Sequence, residues 1–142
     1  MENDSQISPS SDWEWDENNL RVGKFQLRDS IEMFAEMIEK LERYPYESYA
    51  TYLIRGTIGS KLFVKAKVIS SIQCGDHFIV EGTDVIGLNN QSFTSHFNST
   101  FAILQQDSGY ITYINEEKSL KIVLDDEKDA VIWVIYYDPT QW

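Results

Sequence analysis

The sequence predicts an α+β fold: one N-terminal amphipathic helix packed on a strongly curved, mainly antiparallel sheet of six or seven strands, with a partly closed barrel as the limiting form. Three observations predict it. Residues 130 to 137, Ala-Val-Ile-Trp-Val-Ile-Tyr-Tyr, are uncharged and rich in β-branched and aromatic side chains between Asp125-Asp126-Glu127-Lys128-Asp129 and Asp138-Pro139. Such a run reads as a strand apolar on both faces and therefore interior to a sheet. Ile31, Phe34, Ala35, Ile38 and Leu41 recur at helical spacing, and from Glu47 onward short alternating apolar stretches are separated by turn residues.

Taken in order, residues 1–19 are expected to be a flexible acidic tail and residues 20–142 a single α+β domain. Residues 1 to 12 carry Ser5, Ser8, Ser10, Ser11 and Pro9 with Ile7 as the one aliphatic side chain, too little apolar surface to offset the entropy of ordering. Asp12-Trp13-Glu14-Trp15-Asp16-Glu17 then alternates indoles with carboxylates. In an extended segment both tryptophans share one side, so they either dock on the domain as an edge strand or stand out as partner anchors. Val22, Phe25 and Leu27 can pack, with a bend at Gly23. The helix is expected from Ser30 to Arg43, with Asp29 and Glu32 at capping-box spacing and Tyr44-Pro45 as its stop.

Thr51–Arg55 reads as a strand leading to a turn at Gly56 and Gly59. Lys61 to Ile72 alternates, with Leu62, Val64, Ala66 and Val68 opposite Lys61, Lys65 and Lys67, as expected of a half-buried strand. Cys74-Gly75-Asp76 turns the chain into His77–Leu88, where Gly82 suggests a bulge or bend, and Asn89-Asn90 marks a loop. Phe93, Phe97, Phe101 and Ile103 are assigned to a further strand region. After the turn Gln106-Asp107-Ser108-Gly109, Tyr110–Ile114 and Ser119–Leu124 form a hairpin that a short acidic link joins to 130–137. Sequential antiparallel pairing makes a meander the simplest topology.

The 142 residues fit one domain, and the formal net charge is −11. Glu2, Asp4, Asp12, Glu14, Asp16 and Glu17 lie within the first 19 residues without a Lys or Arg among them. A field of that sign repels nucleic acid and anionic lipid and steers the chain toward basic protein surfaces. One cysteine, Cys74, excludes an internal disulfide, and the Met-Glu-Asn-Asp-Ser-Gln start lacks the basic and apolar regions of a signal peptide. The expectation is a cytoplasmic protein without a membrane segment.

Candidates for chemistry are few. Cys74, Asp76 and His77 are the nearest approach to a nucleophilic cluster, and His96, Ser99 and Thr100 supply a base with hydroxyls. Two histidines and one cysteine are a poor zinc set. Residues 125–129 lack the order of a calcium loop, and the dispersed glycines include no phosphate-binding loop. No cofactor is expected. Lys61, Lys65 and Lys67 beside Phe63 form the one basic-aromatic face.

The composition therefore points to a non-enzymatic acidic binding protein that occludes a basic protein, such as an immunity or antitoxin-type inhibitor of a nuclease toxin. The expected contact residues are Trp13, Glu14, Trp15, Asp16 and Glu17 of the tail, a helical ridge of Glu32, Glu36 and Glu39, and Asp125, Asp126, Glu127 and Asp129 of the last link. The alternative is a small-molecule or enzymatic pocket inside the curved sheet, lined by Phe78, Phe97, Phe101 and Trp133.

Overall fold

In the computed structural model, which describes residues 12–43, 49–97 and 100–140, strand pairing dominates. The short strands β1 (Trp15–Asp16), β2 (Arg21–Val22) and β3 (Phe25–Gln26) form a small antiparallel sheet. The main strands are β4 (Ile38–Arg43), β5 (Tyr49–Ile54), β6 (Lys61–Lys65), β7 (Val68–Cys74), β10 (Ala102–Asp107), β11 (Tyr110–Asn115), β12 (Leu120–Asp125) and β13 (Ala130–Tyr137). Between β7 and β10 come the hairpin β8 (Ile79–Val80) and β9 (Thr83–Asp84) and the helix α1 (Asn90–Phe97).

The eight main strands form one antiparallel sheet in the order β10-β11-β12-β13-β7-β6-β5-β4. It consists of two four-stranded meanders, β4–β7 and β10–β13, joined through their last strands. Val134, Ile135, Tyr136 and Tyr137 of β13 pair with Cys74, Gln73, Ile72 and Ser71 of β7. The expected six or seven strands are thus eight in one sheet, a single meander is replaced by two, and among the described residues the sheet stays open.

The largest correction is at residues 30–43, where no amphipathic helix packs on a sheet. Ile31–Met37 is a 3-10 helix broken at Phe34 (φ −118°, ψ 22°), and Ile38 (φ −131°, ψ 159°) already begins β4. Ile31 and Phe34 are three residues apart, the spacing that stacks side chains in a 3-10 turn, and both are buried whereas Ala35 is exposed. Beyond Met37 the backbone gains cross-strand bonds to β5, with Ile38 opposite Ile54 and Glu39 opposite Leu53. The Arg55 N–H donates to Met37 O at 2.8 Å and its Nε–H to Ile38 O at 3.1 Å, which fixes the changeover. Helix propensity is a weak prior beside such pairing. The actual N-cap is Ser30, whose Oγ accepts from Glu32 N, and the expected stop at Tyr44-Pro45 lies outside the described residues.

Three further corrections follow from local geometry. Lys61–Ile72 is two strands, because Ala66 and Lys67 take positive φ (54° and 70°) and form a two-residue hairpin turn. Gly82 is likewise a turn residue, with Glu81, in the β8–β9 hairpin. The stretch around Phe93 and Phe97 is helical, not extended: Asn89 Oδ1 accepts from Ser92 N at 2.8 Å at its start, and the two phenylalanines, four apart, are buried on one face.

The strand 130–137 lies at the centre of the sheet, but its alternation slips at Ile132. Val123 faces Trp133 while Leu124 faces Val131, so Ile132 is an extra residue and Val131, Val134 and Tyr136 all reach the core. That core face also carries Leu62, Ile72, Leu120 and Ile122, covered by Phe25, Leu27, Phe34, Phe78, Phe93 and Phe97. The covering layer is fastened to the sheet by an exchange of backbone bonds, Arg28 N to Ile69 O and Ile69 N to Asp29 O.

One ion pair completes the attachment. Asp138 is fully buried and accepts from Arg28 Nε at 2.7 Å and Nη2 at 3.0 Å, as well as from Thr140 N and Oγ1. The Arg28 hydrogen bond holds the Asp138 carboxyl below its ordinary pKa against the opposing effect of burial, with the Thr140 bonds helping. A carboxyl whose folded pKa is depressed contributes stability above its unfolded pKa of about 4, and that contribution fades as pH falls through the folded value. Replacing Asp138 by Asn should lower unfolding free energy at pH 7 by roughly 1.5–3 kcal/mol, the usual range for hydrogen bonds to a charged group. Chemical denaturation followed by circular dichroism should show the native and variant curves converging below about pH 4.

Candidate functional site

The N-terminal segment is held against the sheet by its tryptophans. Trp15, in β1, pairs with Val22 of β2, and its ring packs 5.7 Å from Phe78, 6.2 Å from Phe97 and 5.7 Å from Tyr136 between centroids. Trp13 packs against the same core. Among the described residues the buried indole N–H of Trp15 has no partner at full hydrogen-bond geometry, its approach being to the Tyr136 side chain. Burial raises the pKa of the adjacent Tyr136 phenol, and the approach of Trp15 partly offsets that rise. Gly23 makes the fold-back possible: its φ is +56°, it donates to Glu14 O at 2.9 Å, and a Cβ there would sit 1.7 Å from Asp12 O.

Docking the indoles places the neighbouring carboxylates around a groove of about 520 Å³. Its walls are Glu14, Asp16 and Glu17 from the N-terminal segment, Val80 and Glu81 from the β8–β9 hairpin, His96 and Phe97 from the end of α1, and Arg21 and Lys118. Glu14 bridges to Ile79, and His96 Nε2 donates to Val80 O at 2.9 Å, so one backbone bridge and one side-chain bond tie the separate walls together. Asp16 caps the turn Glu17–Asn19, accepting from Asn19 N at 3.3 Å and Nδ2 at 2.7 Å. Lys118 Nζ lies 5.9 Å from the Trp15 ring centroid and 3.6 Å from Glu17 Oε1. Four carboxylates thus face two cations, one of them already poised over an aromatic ring.

The other expected contact residues separate into two groups. Glu32 and Glu36 are exposed on the 3-10 helix and Glu39 is exposed on β4, so the change from helix to strand removes the single ridge expected of them. Asp125 Oδ1 caps the β12–β13 turn by accepting from Glu127 N at 3.0 Å and Lys128 N at 3.2 Å. Asp129 Oδ1 accepts from Asn90 N at 3.1 Å at the start of α1. Asp126, Glu127 and Asp129 are exposed, and Asp126 N donates to Gly109 O in the neighbouring hairpin.

The candidates for chemistry are drawn into structural roles. Asp76 accepts from Ser60 Oγ and Ile58 N, each at 2.9 Å, bracing the β5–β6 turn. His77 Nδ1 lies 2.7 Å from Asp84 Oδ2, while Asp84 Oδ1 accepts from Phe78 N and Ile86 N. Cys74 is fully buried, and burial first, then the charges of Asp76 and Asp84, push its thiol pKa up, away from the thiolate a nucleophile needs. Of the second set, Ser99 lies outside the described residues and His96 donates to a backbone carbonyl.

Lys61, Phe63 and Lys65 share the outer face of the sheet with Ser71 and Gln73, but Lys67 is in a turn. Phe78 and Phe97 lie in the core and Phe101 is packed against it, whereas Trp133 stands on the outer face, 39% exposed. These four aromatic residues therefore do not line one cavity.

Among the described residues no group of three His, Cys, Asp or Glu side chains is placed to hold a metal, and no helix is long and apolar enough to cross a membrane. No family model, curated protein or solved structure matches the chain.

Arg21, Glu81 and Lys118, which help complete the groove, are not singled out by the sequence, and His96 is marked there only as a base beside Ser99 and Thr100. The spacing Phe93/Phe97 after Asn89 was the available signal for α1 and hence for His96. The state of Cys74 is directly measurable: a thiol reagent should leave it unmodified in the native protein and label it within the unfolding transition.

Proposed function

We propose that this protein is a non-enzymatic acidic binding protein that occludes a basic protein partner, of the immunity or antitoxin type that inhibits a nuclease toxin. The observation that carries this reading is the groove of Glu14, Asp16, Glu17 and Glu81 around Trp15 in a chain of net charge −11. Carboxylates held on a folded frame pair with the Arg and Lys that a nuclease uses to grip phosphate, and an indole beside them favours the planar guanidinium. Lys118 marks the seat. Its ammonium lies 5.9 Å from the Trp15 ring centroid and 3.6 Å from Glu17, so the same ring and carboxylate already hold one cation.

The net charge speeds encounter with a basic surface and opposes nucleic acid. The site requires no proton transfer or nucleophile, consistent with His77, Asp76 and Cys74 being engaged in the fold. A cytoplasmic toxin inhibitor of this kind acts by covering the enzyme's phosphate-binding surface, so its strength should depend on salt.

Co-expression with a basic nuclease encoded beside this gene is the direct trial. Rescue of growth is expected, together with an affinity that falls by roughly tenfold or more between low and moderate salt. Paired Glu14→Lys and Glu81→Lys changes should weaken binding by about 10- to 100-fold while leaving the thermal midpoint nearly unchanged, since both residues are exposed. Association indifferent to ionic strength, or an absence of rescue, would count against the proposal.

A further inference from the structure

The free edge of the main sheet nearest the groove is β10, and its chemistry is unusual for an edge. Among the described residues β10 pairs with β11 alone, and all six of its residues are exposed, including Ile103 at 57% and Leu104 at 51%. Ala102-Ile-Leu-Gln-Gln-Asp107 contains no proline or lysine and bears one charge, at its end. The opposite edge, β4, reads Ile-Glu-Lys-Leu-Glu-Arg, dense in charge of both signs. Charged edge strands discourage pairing, and neutral apolar ones invite it.

The hairpin geometry shows which groups are available. Ser108 (φ 52°) and Gly109 (φ 89°) form a two-residue turn between Asp107 and Tyr110. Such a turn closes on a hydrogen-bonded pair, so the alternate residue, Gln106, directs its N–H and C=O outward. A register shift between Ile103 and Gln105 interrupts the ladder at Leu104. The regular open edge is therefore short, and main-chain bonds to it need support from its ends.

Both ends are acidic. Asp107 is opposite Tyr110, which is opposite Asp125, and Asp126 bonds to Gly109, so the 125–129 turn stands beside the end of β10. At the start, Phe101 precedes β10 and stacks on Phe97 of the groove wall at 5.3 Å. The edge thus runs from the groove to the acidic turn.

We propose that β10 receives an extended basic segment of the partner as an added strand, its cationic ends seated at the groove and at the 125–129 turn. The inference rests on the occlusion reading for the sign of the partner's charge and adds to it the element that is bound, by strand addition. A second copy of this chain is a poor occupant. Two-fold antiparallel pairing would bring the Asp107 end of each copy against the groove end of the other, acid against acid, between molecules each of charge −11.

The test uses the full chain and a synthetic peptide of alternating valine and threonine with paired lysines at both ends, beside a counterpart with glutamates in place of the lysines. The lysine peptide should shift the amide resonances of residues 102–107 and slow exchange of the Gln106 N–H; the glutamate peptide should do neither. Gln106→Pro removes an outward donor at a position where an edge tolerates proline, and Leu104→Lys blunts the same edge without touching the backbone. Either variant, with its melt unchanged, should lose the lysine-peptide shifts.

Shifts confined to the groove, or lysine-peptide binding unaffected by both variants, would overturn the edge as the site while leaving the occlusion reading intact. A concentration-dependent dimer abolished by Gln106→Pro would overturn it in favour of self-pairing. The occlusion reading itself is judged separately, by salt-dependent binding of the native basic nuclease to the chain.

Discussion

The seam between β7 and β13 is the constraint on which the rest depends. Four residue pairs, from Val134 opposite Cys74 to Tyr137 opposite Ser71, join two meanders that would otherwise be separate small sheets. Every other main-strand pairing is with a sequence neighbour through a short connection, whereas this one closes across β8, β9, α1 and the second meander. Loop-closure entropy makes such a pairing unfavourable until side chains on both strands are buried together. Ile72, Cys74, Val134 and Tyr136 are all buried at the seam. Arg28 and Asp138, 110 residues apart, brace it from the covering layer, and Asp138 N donates to Ser70 O alongside.

The strand at 130–137 was readable because eight uncharged residues between acidic stretches have few other interpretations, and the hairpin between β11 and β12 because its alternation is regular. Residues 30–43 were misread for a physical reason. Ile31, Phe34 and Ile38 satisfy helical spacing, but the same residues satisfy a 3-10 turn followed by a strand, and the choice depends on β5 as partner. Nothing local to the segment contains that information. The Ala66-Lys67 turn was missed because it lacks glycine or asparagine; two ordinary residues hold positive φ where the flanking β6 and β7 pairing determines them. Phe93 and Phe97 had the spacing of a helix face, yet eight residues with one aromatic pair make a weak periodic signal beside a strand-rich background.

For the site, the sequence marked Trp13, Trp15 and the acids between them but offered both docking and display as outcomes. The packing of Trp15 against Phe78, Phe97 and Tyr136 makes the indole part of the frame, and this in turn fixes where Glu14, Asp16 and Glu17 stand. Glu81, His96 and Lys118 reach the same groove from distant parts of the chain, while Arg21 enters it opposite Asp16 in the β1–β2 pair. Their convergence depends on the Glu14–Ile79 bridge and the His96–Val80 bond, contacts that no spacing in the sequence encodes.

The acidic residues divide by side-chain length, which bears on how the surplus charge is used. Asp16, Asp76, Asp84, Asp125, Asp129 and Asp138 each accept from a backbone N–H or a specific side chain, closing turns, capping a helix or fastening a layer. One methylene places an aspartate carboxylate within reach of nearby N–H groups, which is why the residue is favoured at caps and turns. Glu14, Glu17, Glu32, Glu36, Glu39, Glu81, Glu116, Glu117 and Glu127 are all exposed. Their longer side chains carry charge into solvent without stabilising the backbone beneath, while mutual repulsion at a net charge of −11 works against the compact state. Among the described residues the carboxylates that hydrogen-bond within the fold are therefore mainly aspartates, and the groove joins the two kinds: Asp16 shapes its turn while Glu14, Glu17 and Glu81 present exposed carboxylates.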